Sequence, residues 1–254
     1  MSSIKRKMKI LEMLKSEDFV RISDLTKIFN VSKVTVREDL DDLEHKGLLI
    51  RTRGGAMNTE NMPAIQMLSQ QLHEGQAEKK AICAAALQLI VPRMNIIIDS
   101  GSTMVHLARF VTGMNVTVIT NSYLILQELK DSPNVQVFVA GGMLVRPYLS
   151  LIDTTTSFMF EQIHADILFM GAPGFSVNNN NITTRITMDA EIKKQMIKSS
   201  STVCLLADSS KQDKMFIAKI CEWDLINYLI TDAMSDVDRQ TLEARGVKVI
   251  IAQL

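Results

Sequence analysis

Between residues 76 and 254 seven short apolar runs recur, "NIIID", "VTVIT", "VQVFVA", "DILFM", "VCLLAD", "YLIT" and "VKVIIA", with segments of helical period between several of them. Runs that are near-continuous in Val, Ile and Leu, rather than alternating with polar residues, fit strands buried on both faces. Their alternation with helices predicts a parallel sheet covered on both sides, a Rossmann-like parallel α/β domain. The same pattern fixes where polar chemistry gathers, because the carboxyl ends of parallel strands share one edge. On that edge stand Asp99, Ser100, Gly101, Ser102 and Thr103 after the first run, Asn121 and Ser122 after the second, and Gly141 and Gly142 after the third. Gly171 follows the fourth run, and Asp208-Ser209-Ser210-Lys211 closes the fifth.

The first of these segments runs from a strand through "SGST" into a helix starting near Met104, which leaves backbone N–H groups and hydroxyls at the positive end of a helix. Such a turn suits a phosphate, although Gly and Ser also serve ordinary strand-to-helix turns. Lys211 adds a cation on the same edge; Lys193 and Glu191 lie on a helix over Asp189 to Ser199, where a solvated face and a ligand contact are both open readings. Met143, Met159 and Met170 read as core filler.

The N-terminal part has a different texture. Ile4, Met8, Leu11 and Leu14 predict a helix over residues 4–15, and Leu25, Ile28 and Phe29 a second, with Ser23 as its cap and Asn30 and Val31 as the turn after it. Ser32 caps a third helix whose Val36, Leu40 and Leu43 face inward. On this helix Lys33, Val34, Thr35 and Arg37 occupy the first turns and point away from the apolar stripe, whereas Glu38, Asp39, Asp41, Asp42 and Glu44 load the later half. Only the N-terminal end can approach phosphates without repulsion, which is how the second helix of a helix-turn-helix enters the major groove. Gly47 ends the helix, and "LLIRTRGGA" reads as a strand and turn carrying Arg51 and Arg53, a basic wing. The reading is a winged helix-turn-helix over residues 1–57, a polar linker broken by Pro63 over 58–75, and the α/β domain over 76–254.

Composition narrows the function classes. Formal net charge is zero, but residues 1–57 hold 12 Lys/Arg against 9 Asp/Glu, so the basic excess sits where a polyanion would be met. Cys83, Cys204 and Cys221 show no close spacing and read as buried free thiols, and no histidine stands at ligand spacing from Cys or Glu, so no metal and no cofactor is expected. No apolar run reaches the length of a membrane span or a signal core, so the expectation is a soluble, unprocessed, cytoplasmic protein. Neither a Gly-x-Ser-x-Gly elbow nor a nucleotide-binding P-loop occurs.

Taken in order, these segments resemble bacterial transcriptional regulators of the DeoR family over essentially the whole chain. The match is carried by "VSKVTVREDLDDLEHKGLLIRTRGGA", then by "IIIDSGST", "TVITNS", "VAGG", "DILFMGAPG", "ITT" with "AEIKKQMI", "LLADSSK" and "LITD". The resemblance implies a DNA-binding winged helix joined to a sensor domain similar to ribose-5-phosphate isomerase. Such a sensor binds a phosphorylated sugar and thereby releases operator DNA, most members repressing carbohydrate uptake and catabolism operons. It assigns Ser32, Lys33, Thr35 and Arg37 to the recognition helix and Arg51 and Arg53 to the wing. In the sensor it assigns Asp99 to Thr103 to the phosphate loop, Asn121, Ser122, Gly141 and Gly142 to the crevice wall, and Lys193 and Lys211 to its cations.

The chain departs from the family pattern at several places. Glu38 stands where a second arginine is common, Val145 where an arginine is common with Arg146 one place later, Asp153 and Asn181 where glycines are expected, and Leu68 where an arginine is usual. Asp153 would repel a phosphate if it faced the crevice. Two other functions follow from these features: a sensor domain used mainly for oligomerisation, and a sugar-phosphate isomerase using Asp166 and Lys193 as acid and base. A homo-dimer or homo-tetramer is expected, since paired half-sites need paired readers.

Overall fold

The computed structural model describes residues 3–17, 19–45, 48–52, 54–57, 72–146 and 148–253. They fall into two compact units, Met1–Glu74 and Gly75–Leu254. Gly47, Arg53, Pro63 and Leu68, and most of the expected linker, lie outside the described residues.

In the first unit α1 (Ser3–Ser16), β1 (Phe19–Arg21), α2 (Ile22–Phe29) and α3 (Lys33–His45) precede β2 (Ile50–Thr52) and β3 (Gly55–Met57), and the strands form an antiparallel sheet in the order β1-β3-β2. Ile10, Leu14, Val20, Ile22, Leu25, Val36, Leu40, Leu43, Leu49 and Ala56 form its core. The buried stripe of α1 keeps Leu14 and, in part, Leu11 from the expected set but departs from it at Met8. Met8 is 60% exposed and Leu11 only partly buried, whereas Arg6 is buried in line with Ile10 and Leu14. The reason lies on α3, where the buried Asp39 receives the Arg6 guanidinium and the Ser3 hydroxyl (2.9 Å), while Lys7 reaches Asp42 at 2.6 Å. The acidic run of α3 thus clamps α1 rather than standing wholly in solvent.

The expected cap Ser23 lies inside α2, which starts one residue earlier because β1 runs straight into it; Arg21 is the N-cap and makes no side-chain cap bond. Asn30 takes the left-handed turn at φ 49° that ends α2. Ser32 caps α3 as expected, accepting the Thr35 N–H at 3.1 Å.

The second unit is built on a seven-stranded sheet of β4 (Asn95–Ile98), β5 (Val116–Thr120), β6 (Val135–Val139), β9 (Ala165–Met170), β12 (Ser200–Leu206), β14 (Tyr228–Thr231) and β15 (Lys248–Ile251). These strands are the seven apolar runs, and every pairing in the sheet is parallel. Ile96, Ile97 and Ile98 are all fully buried, so both faces are covered. Between the strands come α4 (Gln76–Ala86), α5 (Ser102–Val111), α6 (Tyr123–Leu129), α7 (Thr154–Glu161), α8 (Thr187–Lys198) and α9 (Asp236–Ala244). The strand order β15-β14-β12-β9-β4-β5-β6 reverses between β4 and β9: the chain builds outward from β4 one way, then outward from β9 the other. That reversal is a topological switch point, where a doubly wound fold opens a crevice at its carboxyl edge.

Two features were not foreseen. A hairpin of β7 (Leu144–Val145) and β8 (Ser150–Leu151) sits beside the end of β5, and β10 (Gly174–Ser176), β11 (Asn181–Thr184) and β13 (Ala218–Cys221) form a small antiparallel sheet. Each strand has two to four residues, too few to show a period.

Candidate functional site

At the switch point β4 ends in Asp99 and β9 leads into Gly171. Asp99 is fully buried; its Oδ2 accepts the Gly171 N–H at 3.1 Å and the Lys193 ammonium. Lys193, projecting from α8, also donates to the Gly171 carbonyl at 3.2 Å and lies 3.8 Å from Asp189, whose other oxygen accepts the Thr184 hydroxyl at 2.7 Å. The structure thus removes one of the two readings left open for Lys193: it is 3% exposed and is no solvated helix residue. Burial pushes the Asp99 carboxyl up, against the pull of Lys193. Burial also works to lower the Lys193 ammonium, but Asp189 and Asp99 outweigh it and hold it above its ordinary value.

From Asp99 the chain turns through half-buried Ser100 and Gly101 into α5, with Ser102 and Thr103 in its first turn. Gly101 adopts φ 125°, ψ 163°, a region almost confined to glycine, and caps the helix without a side-chain bond. The first N–H groups of α5 are therefore open to a ligand at the positive end of the helix. Cys83 of α4 backs this turn, its thiol donating to the Thr103 carbonyl at 3.3 Å; burial pushes it up to about 12, so it is a packing thiol.

The next strand end supplies Asn121 and Ser122, both buried. Asn121 is held by β8, its Nδ2 donating to the Leu151 carbonyl at 3.1 Å, while Ser122 caps α6 by accepting the Ile125 N–H at 3.5 Å. Three buried oxygens here and at the switch point, Asp99 Oδ1, Asn121 Oδ1 and Ser150 Oγ, have no hydrogen-bond partner among the described residues. Such atoms are costly unless something else satisfies them.

Gly141 and Gly142 are exposed and form the turn after β6. Gly142 sits at φ 132°, and a Cβ there would fall 2.2 Å from Thr156 Oγ1 and 2.8 Å from Asp153 Oδ1. Asp153 is tied into the backbone beside this turn. It caps α7 in a capping box, accepting the Thr156 N–H at 3.0 Å and the Met143 N–H at 2.8 Å, with the Thr156 N–H the main cause holding its carboxyl below the usual range. The other departures also find structural places. Val145 packs on the core, Arg146 is exposed in the hairpin turn, and Asn181 pairs with Ser176 in the small sheet. Lys211 lies on the carboxyl edge 3.7 Å from Asp208, in a turn fastened by Ser209 to Asp232 at 2.6 and 2.9 Å. Asp166 is at the opposite, amino edge of the sheet, where it accepts the Asn95 N–H at 2.7 Å; an isomerase would be left without that base.

On the first unit, Val34, Arg37, Glu38 and Asp41 are exposed and recur at helical spacing on the face of α3 opposite Val36, Asp39, Leu40 and Leu43. Lys33 is exposed on the flank, and the Ser32 and Thr35 hydroxyls lie 2.9 Å apart, engaged with each other at the cap. Arg51, from β2, turns toward α3: its Nη1 is 3.2 Å from Asp41 and donates to the Arg37 carbonyl at 3.1 Å, and its N–H donates to Glu44 at 2.9 Å. It braces the strand against the helix and has only its other terminal nitrogen left for a phosphate. Arg53, the second expected wing contact, lies outside the described residues.

A trihelical unit closed by a three-stranded sheet, joined in one chain to a doubly wound α/β unit with a polar switch-point crevice, defines a two-domain DNA-binding transcriptional regulator. The family profiles agree in both parts: a DeoR-like helix-turn-helix domain matches residues 6–61 and a DeoR C terminal sensor domain residues 74–233. The chain belongs to the DeoR family. It is 32% identical to the HTH-type transcriptional regulator YulB of Bacillus subtilis strain 168, over 98% of this chain and 96% of that one. It is 29% identical to the HTH-type transcriptional repressor GlcR of the same organism (96% and 94%) and 27% identical to the L-fucose operon activator of Haemophilus influenzae (88% and 89%). Among solved structures it is similar to ribose 5-phosphate isomerase A from Neisseria gonorrhoeae, at TM-score 0.37 and 14% identity over 58% of this chain and 55% of that one. Among the described residues no helix is long and apolar enough to cross a membrane, and no cluster of His, Cys, Asp and Glu could hold a metal.

Proposed function

We propose that this regulator represses a carbohydrate uptake or catabolism operon and that a phosphorylated sugar in the switch-point crevice controls its hold on operator DNA. The observation that carries the reading is the open N-terminus of α5 at Gly101, together with three buried oxygens left without partners among the described residues at the ends of β4 and β5 and in the hairpin paired with β5's end, Asp99 Oδ1, Asn121 Oδ1 and Ser150 Oγ. The helix end suits a phosphate, and two of those oxygens can only accept, so they suit the hydroxyl donors of a sugar. Lys193 supports the site by holding Asp99 in place, and Lys211, Ser122 and the Gly141-Gly142 turn frame the edge. In the DNA-binding unit Ser32, Lys33, Val34, Thr35 and Arg37 meet the groove, with Arg51 and Arg53 on the wing side. The relatives' names support control of sugar operons, and include both a repressor and an activator. A homo-dimer or homo-tetramer would present two readers to paired half-sites.

Calorimetric titration of pentose and hexose phosphates against their unphosphorylated parents tests the site. Wild type binds one phosphorylated sugar and not its parent, and Gly101→Val, which forces a β-branched residue into a glycine-only conformation, weakens that binding at least tenfold while the protein stays folded. Unchanged binding in Gly101→Val would move the phosphate elsewhere. If no phosphorylated sugar binds at all, the α/β unit serves oligomerisation instead.

A further inference from the structure

The second half of α3 carries five carboxylates, and four of them are used within the unit. Asp39 holds Arg6 and Ser3, Asp41 holds Arg51, Asp42 holds Lys7, and Glu44 accepts the Arg51 N–H. Glu38 differs. It is exposed, and it makes no hydrogen bond or ion pair with any described residue. It stands beside Arg37 and one turn after Val34, which is 60% exposed, on the face of the helix turned away from the core. In the proposed function, on which this inference rests, that face meets the groove.

We propose that Glu38 reads a base and selects cytosine in the operator half-site. A carboxylate brought up to DNA is repelled by the phosphates and loses its water, so it weakens binding unless a base donates a hydrogen bond to it. In the major groove only cytosine N4 and adenine N6 donate; guanine and thymine present acceptors. Adenine carries its N7 acceptor next to N6, which repels the second carboxylate oxygen, whereas cytosine offers its donor with no acceptor on the same base edge. Glu38 therefore acts by discrimination: it lowers affinity for sequences without cytosine at its position more than it raises affinity for the right one. Asp41, on the same face, cannot do the same work because Arg51 neutralises it.

The test is selection of duplexes from a randomised pool by the full-length protein, in wild type, E38Q and E38R, followed by binding titrations on the selected site and its single-base variants. Wild type should select a cytosine at one fixed position of each half-site and lose roughly ten- to a hundredfold in affinity when that pair is replaced. E38R should move the preference at that position to guanine, and E38Q should move it to adenine or erase it, without change elsewhere in the site. Both variants should melt with wild type, since Glu38 holds nothing among the described residues. If all three proteins select the same bases and differ only by a uniform change in affinity, Glu38 is a repelling surface charge and the proposal is wrong.

Discussion

Replacing Lys193 by Met should destabilise the α/β unit by about 3–5 kcal/mol, because it leaves Asp99 and Asp189 buried near each other without their shared cation. For a domain of this size each kcal/mol lowers the melting midpoint by about 2–4 °C, so the loss is easily read by calorimetry. Its pH dependence has a definite sign. Burial already raises the Asp99 carboxyl above its ordinary value, and Lys193 is what pulls it back; without Lys193 it rises further. Between the ordinary and the raised value the folded variant takes up a proton that the unfolded chain does not, so folding gains as pH falls through that range. The deficit should therefore be largest near neutral pH and shrink as pH falls toward the ordinary carboxylate range. The double variant D99N/K193M should recover part of the loss at neutral pH, since it removes one of the two stranded charges. A K193M protein as stable as wild type at neutral pH would show that the buried triad carries no such balance.

The second large effect falls on the other unit. Asp39→Ala strands the buried Arg6 guanidinium and frees the Ser3 end of α1 from α3, again at a cost of about 3–5 kcal/mol. In a unit of some 70 residues that is most of the stability a small core supplies. We expect a protein whose first unit is unfolded at physiological temperature and whose α/β unit melts as in wild type. DNA binding should be abolished, although Asp39 is buried and cannot itself meet DNA. Retained operator binding in D39A, with one unchanged melting transition, would show that the clamp between α1 and α3 is dispensable.

The α/β framework was legible because its strands are buried on both faces: seven unbroken apolar runs leave few other folds, and each became a strand of the parallel sheet. The carboxyl edge followed from that geometry, and with it Asp99 to Thr103 and Asn121. What could not be read was pairing across distance. Asp99 and Lys193 lie 94 residues apart, and no local signal says that one neutralises the other. Asp39 shares the inward face of α3 with Val36, Leu40 and Leu43; a helical period includes it, but a carboxylate in a stripe reads as surface until its partner on another helix is known. The capping role of Asp153 was legible but unread, since Asp-Thr-Thr-Thr before an apolar stretch is itself a helix-start signal. The hairpin that pairs Ser150 with Ser122 and Leu151 with Asn121 has strands of two residues, below the length at which any pattern exists.

The most direct measurement is fluorescence anisotropy of the full-length protein on the DNA upstream of its own and neighbouring genes, at two salt concentrations, with and without a panel of phosphorylated sugars. The protein should bind tightly, with an affinity that falls steeply with salt and that one phosphorylated sugar, but not its unphosphorylated parent, weakens. By linkage, operator DNA then weakens the binding of that sugar by the same factor. Tight binding that no phosphorylated sugar alters in either direction would contradict the proposed function, and would leave the switch-point crevice without a part in controlling DNA.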